Sequence, residues 1–269
     1  MCSDDRSEAA QAKAPGPFTI DAFHRGGFHL VQPAGRGHRA GLDAMLLSAA
    51  VPDGFAGRLA DLGAGAGAAG FAVAARCPDA RILLVEKSPD MAACARQSLA
   101  LSDNAALSPR IEVLEADAEL SGPQRTRAGL ADRAFNFVIM NPPFNAPRDR
   151  ATPDALRREA HVMADGMFER WLRTAAAIAV PGGEVAVIAR PQSLAEILHA
   201  LKGRFGAPRA LAVHPRAEAE AIRIILTARK GARGGLTLLP PLVLHGPDGH
   251  AFTPRAEALI NGRAALFAG

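Results

Sequence analysis

Several residue types are rare or missing in this 269-residue sequence, which has no tyrosine, one tryptophan and three cysteines. Without tyrosine, the chain cannot carry the Tyr-x-x-x-Lys pair that a nicotinamide oxidoreductase would need. Only four of the 31 basic residues are lysines, and the excess of arginine and alanine is typical of GC-rich coding. The net charge of +4 and the pI near 9.4 therefore permit an anionic partner without requiring one.

The cysteines and histidines show no pattern of a disulfide or metal site. Cys2, Cys77 and Cys94 form an odd set without CxxC spacing, and the eight histidines show no HExxH pair. The first residues lack a basic segment followed by an apolar core, and no apolar run approaches the ~20 residues of a membrane span. These absences predict a cytoplasmic protein with reduced thiols, no metal and no membrane partner.

The sequence does contain a regular alternation of strand and helix patterns, and its 49% hydrophobic residues can bury a large core. Apolar runs predict strands at 58–62, 82–85, 111–114, 137–140, 184–189, 210–214, 221–228 and 236–244. Helices are predicted at 44–50, 71–76, 91–101, 167–180 and 193–201, with a short helix near the end of the chain. This alternation predicts an α/β fold with a doubly wound, mostly parallel sheet covered on both faces.

One large domain with small additions at both ends accounts for this order of elements. Residues 1–17 are polar and broken by proline, which predicts a disordered tail. Residues 18–57 form an N-terminal extension, with a strand or hairpin followed by the first helix. Residues 58–269 hold the main sheet and a C-terminal strand addition.

A glycine-rich turn follows the first strand of the main sheet, which carries Asp61 near its end. The glycines of this turn are Gly63, Gly65, Gly67 and Gly70. Such a turn lets the backbone and the N–H groups of the next helix approach a ligand. Glu86 ends the second strand, where a carboxylate would bind ribose hydroxyls, and Asp117 follows the third strand, where it would bind an adenine amine. Gly65-x-Gly67-x-x-Gly70 also matches the dinucleotide fingerprint, so a nicotinamide oxidoreductase stays open as the out-of-class alternative.

The fourth strand ends in Asn141-Pro142-Pro143-Phe144. Neither proline can donate an N–H to a sheet ladder, and Asn141 is pushed to an extended conformation because it precedes a proline. The strand therefore stops in a stiff loop that presents a side-chain amide, free backbone carbonyls and an aromatic ring. These groups suit a flat ring with an exocyclic amine, since Asn141 and the Pro142 carbonyl would accept its N–H groups while Phe144 stacks on the ring. A proline-stopped strand without a function is the alternative.

At these spacings, Asp61-Leu62-Gly63-x-Gly65-x-Gly67, Glu86 and the Asn-Pro-Pro-Phe segment resemble class I S-adenosylmethionine (SAM)-dependent methyltransferases. The resemblance implies a seven-stranded Rossmann-like sheet, with SAM as the cofactor and S-adenosylhomocysteine (SAH) as the product. It also implies that Asp61 and the glycine turn bind the amino-acid end of SAM, Glu86 the ribose and Asp117 the adenine, with Asn141 beside the cofactor. Within this superfamily, the Asn-Pro-Pro-Phe segment resembles the motif of enzymes that methylate planar amino groups on adenine N6, guanine N2 or glutamine.

The N-terminal extension resembles one family more closely. Gln32-Pro33 and the segment from Gly37 to Leu47 are similar to bacterial tRNA1(Val) (adenine-37 N6)-methyltransferases, and so is the later segment His214–Arg216. The similarity runs from Phe28 to the C-terminus. It implies that Asp43 borders the cofactor pocket, although capping of the following helix is an equal alternative. It also implies RNA, in particular tRNA, as the partner and adenine N6 as the favoured acceptor.

Two positions depart from that family. Phe144 replaces the more usual tyrosine, which keeps guanine N2 in rRNA open as an acceptor, and Asn136 stands where many relatives have aspartate. A release-factor glutamine is the protein-substrate alternative, and little room precedes residue 58 for the helical substrate domain that it would need. A non-catalytic RNA-binding module would leave Asn141 without a purpose. Because a base inside a duplex cannot reach the crevice, the target would be unpaired or flipped out.

Basic residues around the predicted crevice would contact RNA phosphates. The candidates are Arg148, Arg150, Arg216, Arg223 and Lys230. The first two lie in the loop 145–160, whose length and position beside a strand end are typical of a mobile substrate loop. For each residue singly, a solvated surface position or an ion pair is the alternative, but together they predict salt-dependent binding.

Overall fold

Helices cover both faces of a central sheet in the computed structural model, which describes residues 18–34, 41–143 and 166–267. The strands are β1 (Phe18–Phe23), β2 (Phe28–Pro33), β3 (Gly57–Leu62), β4 (Ala80–Glu86), β5 (Ile111–Glu115), β6 (Phe135–Met140), β7 (Ala179–Ala189), β8 (Phe205–His214), β9 (Arg223–Lys230), β10 (Thr237–Leu238) and β11 (Leu242–Val243). The helices are α1 (Leu42–Ser48), α2 (Ala68–Arg76), α3 (Pro89–Leu99), α4 (Gly122–Arg127), α5 (Met167–Ile178), α6 (Leu194–Leu201) and α7 (Pro254–Ile260).

Within the described ranges, nine strands form the main sheet, in the order β10-β8-β9-β7-β6-β3-β4-β5, with β11 also paired to β8. The strands from β5 across to β7 are parallel, and β9 is antiparallel to both β7 and β8. The predicted doubly wound, mostly parallel sheet is confirmed: β3 to β9 are the seven main strands, and the two-residue β10 and β11 extend one edge. The order reverses between β3 and β6, and open α/β sheets bind ligands at such a switch point.

The core forms because alternate residues of the central strands point to opposite faces of the sheet. Leu59 and Ile139 pack with α1, α2, α3 and α7 on one face. Leu62 and Met140 pack with α5 and α6 on the other face. The start of α2 and the start of α5 therefore flank the carboxyl ends of β3 and β6 from opposite faces.

The N-terminal extension begins with a hairpin, in which β1 and β2 pair antiparallel. The hairpin docks on α3 and the turn after it through side-chain hydrogen bonds to the backbone of β2. Asn104 accepts from the backbone N–H of His29 at 2.9 Å, and the Ser98 hydroxyl oxygen accepts from Val31 N at 2.8 Å. No helix among the described residues is long and apolar enough to cross a membrane.

Several predicted segments differ from the structure. β7 and β8 each begin five residues before the predicted strands, at Ala179 and Phe205. Helix α4 lies inside the polar stretch 118–132, where no helix was predicted, and it is held by the buried Arg125, which donates to Leu130 O at 2.7 Å and pairs with Asp132. The predicted strand at 236–244 is two short strands, because Pro240 and Pro241 cannot donate ladder hydrogen bonds. The predicted helix 167–180 ends two residues early, and β7 begins at once.

Candidate functional site

The carboxyl ends of β3, β4 and β6 lie at one level, because Leu62 pairs with both Val85 and Met140. At this level, Gly63 directly follows β3, Glu86 is the last residue of β4, and Asn141 directly follows β6. Glu86 also pairs with Glu115 of β5, two residues before Asp117. The register therefore brings the predicted cofactor residues and the predicted acceptor motif to the same edge of the sheet. We call this the carboxyl edge.

The side-chain oxygen of Asn141 is the most unusual polar atom at the carboxyl edge. Asn141 Oδ1 is buried and has no hydrogen-bond partner among the described residues. Pro142 beside it is buried as well. A buried amide oxygen without a partner costs about 1–3 kcal/mol, which makes Asn141 Oδ1 a candidate acceptor for an N–H group of a ligand.

The glycine turn is open at one of its positions. A Cβ atom on Gly67 or Gly70 would lie 2.6 Å or 2.3 Å from methyl carbons of Leu84, so these two glycines permit the packing of α2 on the sheet. A Cβ atom on Gly65 would meet only Met91 Cε, at 3.6 Å. Gly65 also has a φ of 58°, which favours glycine. The backbone at Gly65 is therefore the part of the turn that faces open space and could receive a ligand.

Two carboxylates flank this turn with different exposure. Glu86 is 9% exposed and accepts N–H groups from Gly65 at 2.8 Å and Ser88 at 2.7 Å, one on each oxygen. Each carboxylate oxygen can accept a further hydrogen bond, which leaves capacity for ribose hydroxyls. The Asp117 side chain is 40% exposed, accepts from Glu119 N at 2.9 Å and lies 4.0 Å from Lys87 Nζ. It is thus accessible from the crevice.

Asp61 lies deeper than the other predicted residues, with 2% exposure. Its Oδ2 accepts the N–H of Gly70 at 3.0 Å, so the carboxyl group faces the start of α2 inside the protein. Burial raises the pKa of Asp61 to about 7, the Gly70 hydrogen bond opposes this shift, and the charge of Glu86 adds to it. A cationic ligand nearby would favour the charged form of this carboxyl group.

Asp43 does not cap α1 through its side chain. Its Oδ2 instead accepts from Arg223 Nε at 2.8 Å, which joins the first turn of α1 to the start of β9. Ala189 at the end of β7 pairs with Ile224, so this ion pair lies at the carboxyl edge. Both residues are therefore near the crevice, and each neutralises the other.

The remaining basic candidates lie at opposite ends of the strands. Arg216 follows β8, which runs parallel to β7, so it lies at the carboxyl edge, where it donates three hydrogen bonds, of 2.7–3.2 Å, to carbonyls of the turn 246–249. The expected position of Lys230 beside the crevice is wrong, because β9 runs antiparallel and carries Lys230 to the amino ends of the parallel strands, which we call the amino edge. There Nζ donates to Ala179 O at 2.7 Å. Phe144, Arg148 and Arg150, together with the predicted tail 1–17 and the loop 145–160, lie outside the described residues.

Sequence reasoning missed two residues at the carboxyl edge, Arg190 and Trp171. Arg190 directly follows β7 and is exposed, and its side chain has no hydrogen-bond or ion-pair partner within the described ranges. Trp171 of α5 is 6% exposed and packs on Gly63, where a Cβ atom would lie 2.4 Å from Cη2 of the indole. Their signals were a basic residue directly after a predicted strand and the single tryptophan of the chain. In the described parts of the chain, no group of three or more His, Cys, Asp or Glu residues could hold a metal ion.

Comparisons with known proteins point to one family. A model described as "Methyltransferase small domain" matches residues 39–216. The solved structure of a predicted O-methyltransferase, Atu636 from Agrobacterium tumefaciens, is 50% identical, with a TM-score of 0.74 over 84% of this chain and 99% of that one. The predicted resemblance to tRNA1(Val) methyltransferases is also confirmed, since an enzyme from Porphyromonas gingivalis named tRNA1(Val) (adenine(37)-N6)-methyltransferase is 30% identical over 176 residues.

A second curated relative carries another name. The release factor glutamine methyltransferase of Deinococcus radiodurans is 31% identical over 143 residues, which are 51% of this chain and 46% of that protein. The match to the Porphyromonas gingivalis enzyme covers 64% of this chain and 65% of that protein. The chain thus spans from about half to just under two thirds of the length of these curated relatives.

Proposed function

The chain belongs to the methyltransferase small domain family and is a SAM-dependent methyltransferase, and from this premise we propose that it methylates an exocyclic amino nitrogen of a nucleobase. Adenine N6 in tRNA is the acceptor that we favour. The observation that carries the proposal is the buried Asn141 Oδ1 without a hydrogen-bond partner among the described residues. Asn141 follows β6, which pairs with β3, the strand that ends in the glycine turn. An acceptor bound at Asn141 would therefore lie next to the cofactor.

The residues at the carboxyl edge fit SAM. The open space at Gly65, which a side chain would fill, is suited to a closely bound ligand. The turn from Gly63 to Gly67 would hold the amino-acid end, Glu86 the ribose hydroxyls and Asp117 the adenine amine. Asp61 would act on the cofactor indirectly, through its hydrogen bond to the start of α2 and through its negative charge. Asp43 would border the pocket. When bound, SAM supplies a methyl group that is activated by a positively charged sulfur.

The acceptor would be oriented by two carbonyl oxygens of this chain, Asn141 Oδ1 and Pro142 O. An exocyclic amine shares its lone pair with the ring and is a poor nucleophile. When its two N–H groups donate to these oxygens, the nitrogen can leave the ring plane and direct its lone pair at the methyl carbon. Positive charge develops on the nitrogen during transfer, so both hydrogen bonds strengthen in the transition state. A strong base is not required, because the methylated nitrogen is acidic and releases its proton to water.

The number of hydrogen atoms on the acceptor favours an amine over a hydroxyl group. Two carbonyl acceptors match the two N–H groups of an amine, whereas a hydroxyl group offers one hydrogen and needs a base to become nucleophilic. A glutamine amide also has two N–H groups, so this argument does not separate it from adenine or guanine. Stacking on Phe144, at about 1–3 kcal/mol, would favour a nucleobase. The similarity to the named tRNA adenine methyltransferase supports adenine.

Arg190 is the residue that we assign to the RNA backbone. Register places it beside the Asn141–Pro143 loop, because Met140 of β6 pairs with Val187 of β7, three residues before Arg190. Arg216 donates to carbonyls of its own chain, and Arg223 is paired with Asp43. An exposed guanidinium beside the crevice would bind a phosphate next to the target base, as Arg148 and Arg150 would in the loop that follows Phe144.

The experiment that tests this function is transfer of labelled methyl groups from SAM to unmodified tRNA transcripts, followed by nucleoside mass spectrometry. We expect labelled N6-methyladenosine with the wild-type protein and none with Asn141→Ala. N2-methylguanosine would refute the choice of adenine. A 2′-O-methylated nucleoside, or label on a release factor instead of RNA, would refute the nucleobase amine as the acceptor.

A further inference from the structure

The indole of Trp171 packs directly on the first glycine of the cofactor turn. A Cβ atom on Gly63 would lie 2.4 Å from Cη2 and 2.9 Å from Cζ3 of Trp171, so only glycine permits this contact. On the other side, the N–H groups of Gly63 and Ala64 both donate to Val85 O of β4, at 2.8 and 3.0 Å. The turn is thus fixed on one side by its backbone hydrogen bonds to β4 and on the other side by an aromatic ring of α5.

The helix that carries Trp171 also holds the second cofactor loop. Arg170 donates two hydrogen bonds to the Glu119 carboxylate, at 2.8 and 3.3 Å, and the Thr174 hydroxyl donates to Leu120 O at 2.9 Å. Glu119 and Leu120 lie two and three residues after Asp117, which is assigned to the adenine of the cofactor. Three residues on one face of α5 therefore hold both ends of the proposed cofactor site.

The indole N–H of Trp171 is buried without a hydrogen bond of normal geometry to the described residues. It lies toward Glu119, whose pKa is lowered by its hydrogen bonds to Arg170 and, to a smaller degree, by the indole N–H. Burial of a tryptophan usually comes with a partner for this donor. Glu119 is the acceptor that this N–H faces, so the ring is positioned on one side by Glu119 and on the other by its contact with Gly63.

We propose that Trp171 is a positioning residue for methyl transfer, whose ring holds the Gly63 turn in the conformation that receives SAM. The inference rests on the proposed place of SAM at the carboxyl edge and is independent of the acceptor. Two consequences follow. The environment of the indole changes when the cofactor binds, and a smaller ring weakens cofactor binding more than it slows the bound enzyme.

Emission of Trp171 tests the first consequence, because the chain has one tryptophan and no tyrosine. The full-length protein is titrated with SAH, followed in parallel by tryptophan emission and by calorimetry. We expect the emission to change and to saturate with the dissociation constant found by calorimetry. Binding in calorimetry with unchanged emission would overturn the inference alone. Absence of binding in calorimetry would overturn the proposed cofactor site, and the inference with it.

Variants test the second consequence. Trp171→Phe should weaken SAH binding about tenfold while kcat at saturating SAM stays within about threefold, since contacting residues couple on this scale. Equal affinity, or a loss confined to kcat, would overturn the role. The contact itself is tested separately by comparing Gly63→Ala with Gly65→Ala in the ligand-free protein. Both glycines have a positive φ, 69° and 58°, but only Gly63 contacts Trp171. We expect the emission maximum to shift for Gly63→Ala alone, and equal maxima would contradict the contact.

Discussion

At the amino edge of the sheet, cationic side chains donate to carbonyl groups of their own chain, whereas at the carboxyl edge several acceptor groups keep unused hydrogen-bonding capacity. Arg110 at the amino edge donates to three carbonyls, Lys230 donates to Ala179 O, and Arg229 donates to Gly182 O at 3.0 Å. These bonds join the cationic side chains to carbonyls of other segments of the chain. Charge at this edge therefore stabilises the fold.

The carboxyl edge carries acceptor groups that the described residues leave wholly or partly unused, beside groups such as Arg216 and Arg223 that they satisfy. Asn141 Oδ1 has no partner there, Glu86 uses one acceptor position on each oxygen, and Asp117 is accessible. Two asparagines at opposite ends of β6 show the contrast, because Asn136 at the amino edge accepts from Arg58 N at 3.0 Å, whereas Asn141 directly after the strand has an oxygen that is unpaired among the described residues. If the carboxyl edge binds the cofactor as proposed, unsatisfied acceptors, more than charge, distinguish it from the structural edge.

Asn141→Ala is the strongest test of the contrast between the carboxyl edge and the amino edge. We expect kcat to fall about 10²–10³-fold, the scale of a lost transition-state hydrogen bond in a water-excluded site, while SAH affinity stays within a few-fold. Stability should not fall, because the buried oxygen has no partner to lose. The measurements are single-turnover methyl transfer, calorimetry and denaturant unfolding.

Asn136→Ala is the matched control on the same strand. It should lower the free energy of unfolding by about 1 kcal/mol, since it removes the hydrogen bond to Arg58 N, and leave kcat unchanged. If the two variants gave the same pattern of stability and activity, the contrast between the edges would be lost.

Glu86→Gln should have the next largest effect. Hydrogen bonds to a charged group contribute about 1.5–3 kcal/mol, so loss of the charge should weaken SAH binding by about 10–100-fold in calorimetry. Glu112→Gln, at the exposed amino end of β5, is the control and should bind SAH normally. Unchanged affinity in Glu86→Gln would remove Glu86 from the cofactor site.

Asp61→Asn tests the buried carboxyl group through the pH dependence of stability. The folded pKa, about 7, lies above the ordinary value of 3.8, so the folded protein keeps a proton that the unfolded chain releases between these pH values. The free energy of unfolding of the wild type should therefore decrease, relative to Asp61→Asn, as pH rises through this window. The decrease should be about 2 kcal/mol between pH 5 and 7 in the ligand-free protein.

His24 also has a shifted pKa, but it does not affect the difference between the wild type and Asp61→Asn. Burial lowers its pKa to about 4, with a smaller contribution from Arg76, and both proteins contain it. The difference between the two unfolding curves thus reports Asp61. Parallel curves would show that the carboxyl group is charged in the folded protein throughout this pH range, with a pKa well below 7.

Arg190→Gln should have the smallest effect of the series. Loss of one phosphate contact should raise KM for tRNA about 3–10-fold and reduce the salt dependence of binding by about one counterion. Arg81→Gln, exposed at the amino end of β4, is the control for charge and should leave KM unchanged. An equal rise in KM for both variants would indicate a diffuse electrostatic effect and no contact specific to the carboxyl edge.

Local patterns were enough to predict the parallel half of the fold. The apolar runs before Gly63, Glu86 and Asn141 each ended in a polar or glycine-rich turn, and the structure has strands at all three. Because the carboxyl ends of parallel strands share one edge, predicting the strands also predicted that these residues meet. The boundaries differ by one to two residues, as at β3, which begins at Gly57.

Contacts between distant segments could not be predicted in the same way. Asp43 and Arg223 are 180 residues apart and pair because β9 runs antiparallel, a direction that the local pattern of residues 221–228 does not encode. The same reversal moves Lys230 to the amino edge. The contact of Trp171 with Gly63 depends on the path of α5 across the sheet, and a single tryptophan in an apolar helix indicates only burial.

A crystal structure of the protein with SAH would test directly whether the carboxyl edge binds the cofactor beside Asn141. We predict that SAH lies along the carboxyl edge, against the backbone at Gly65 and the Glu86 carboxylate, with its sulfur on the side of Asn141 and Oδ1 still free to accept an N–H. SAH bound elsewhere, or Asn141 Oδ1 hydrogen-bonded within the protein and turned from the sulfur, would contradict the account.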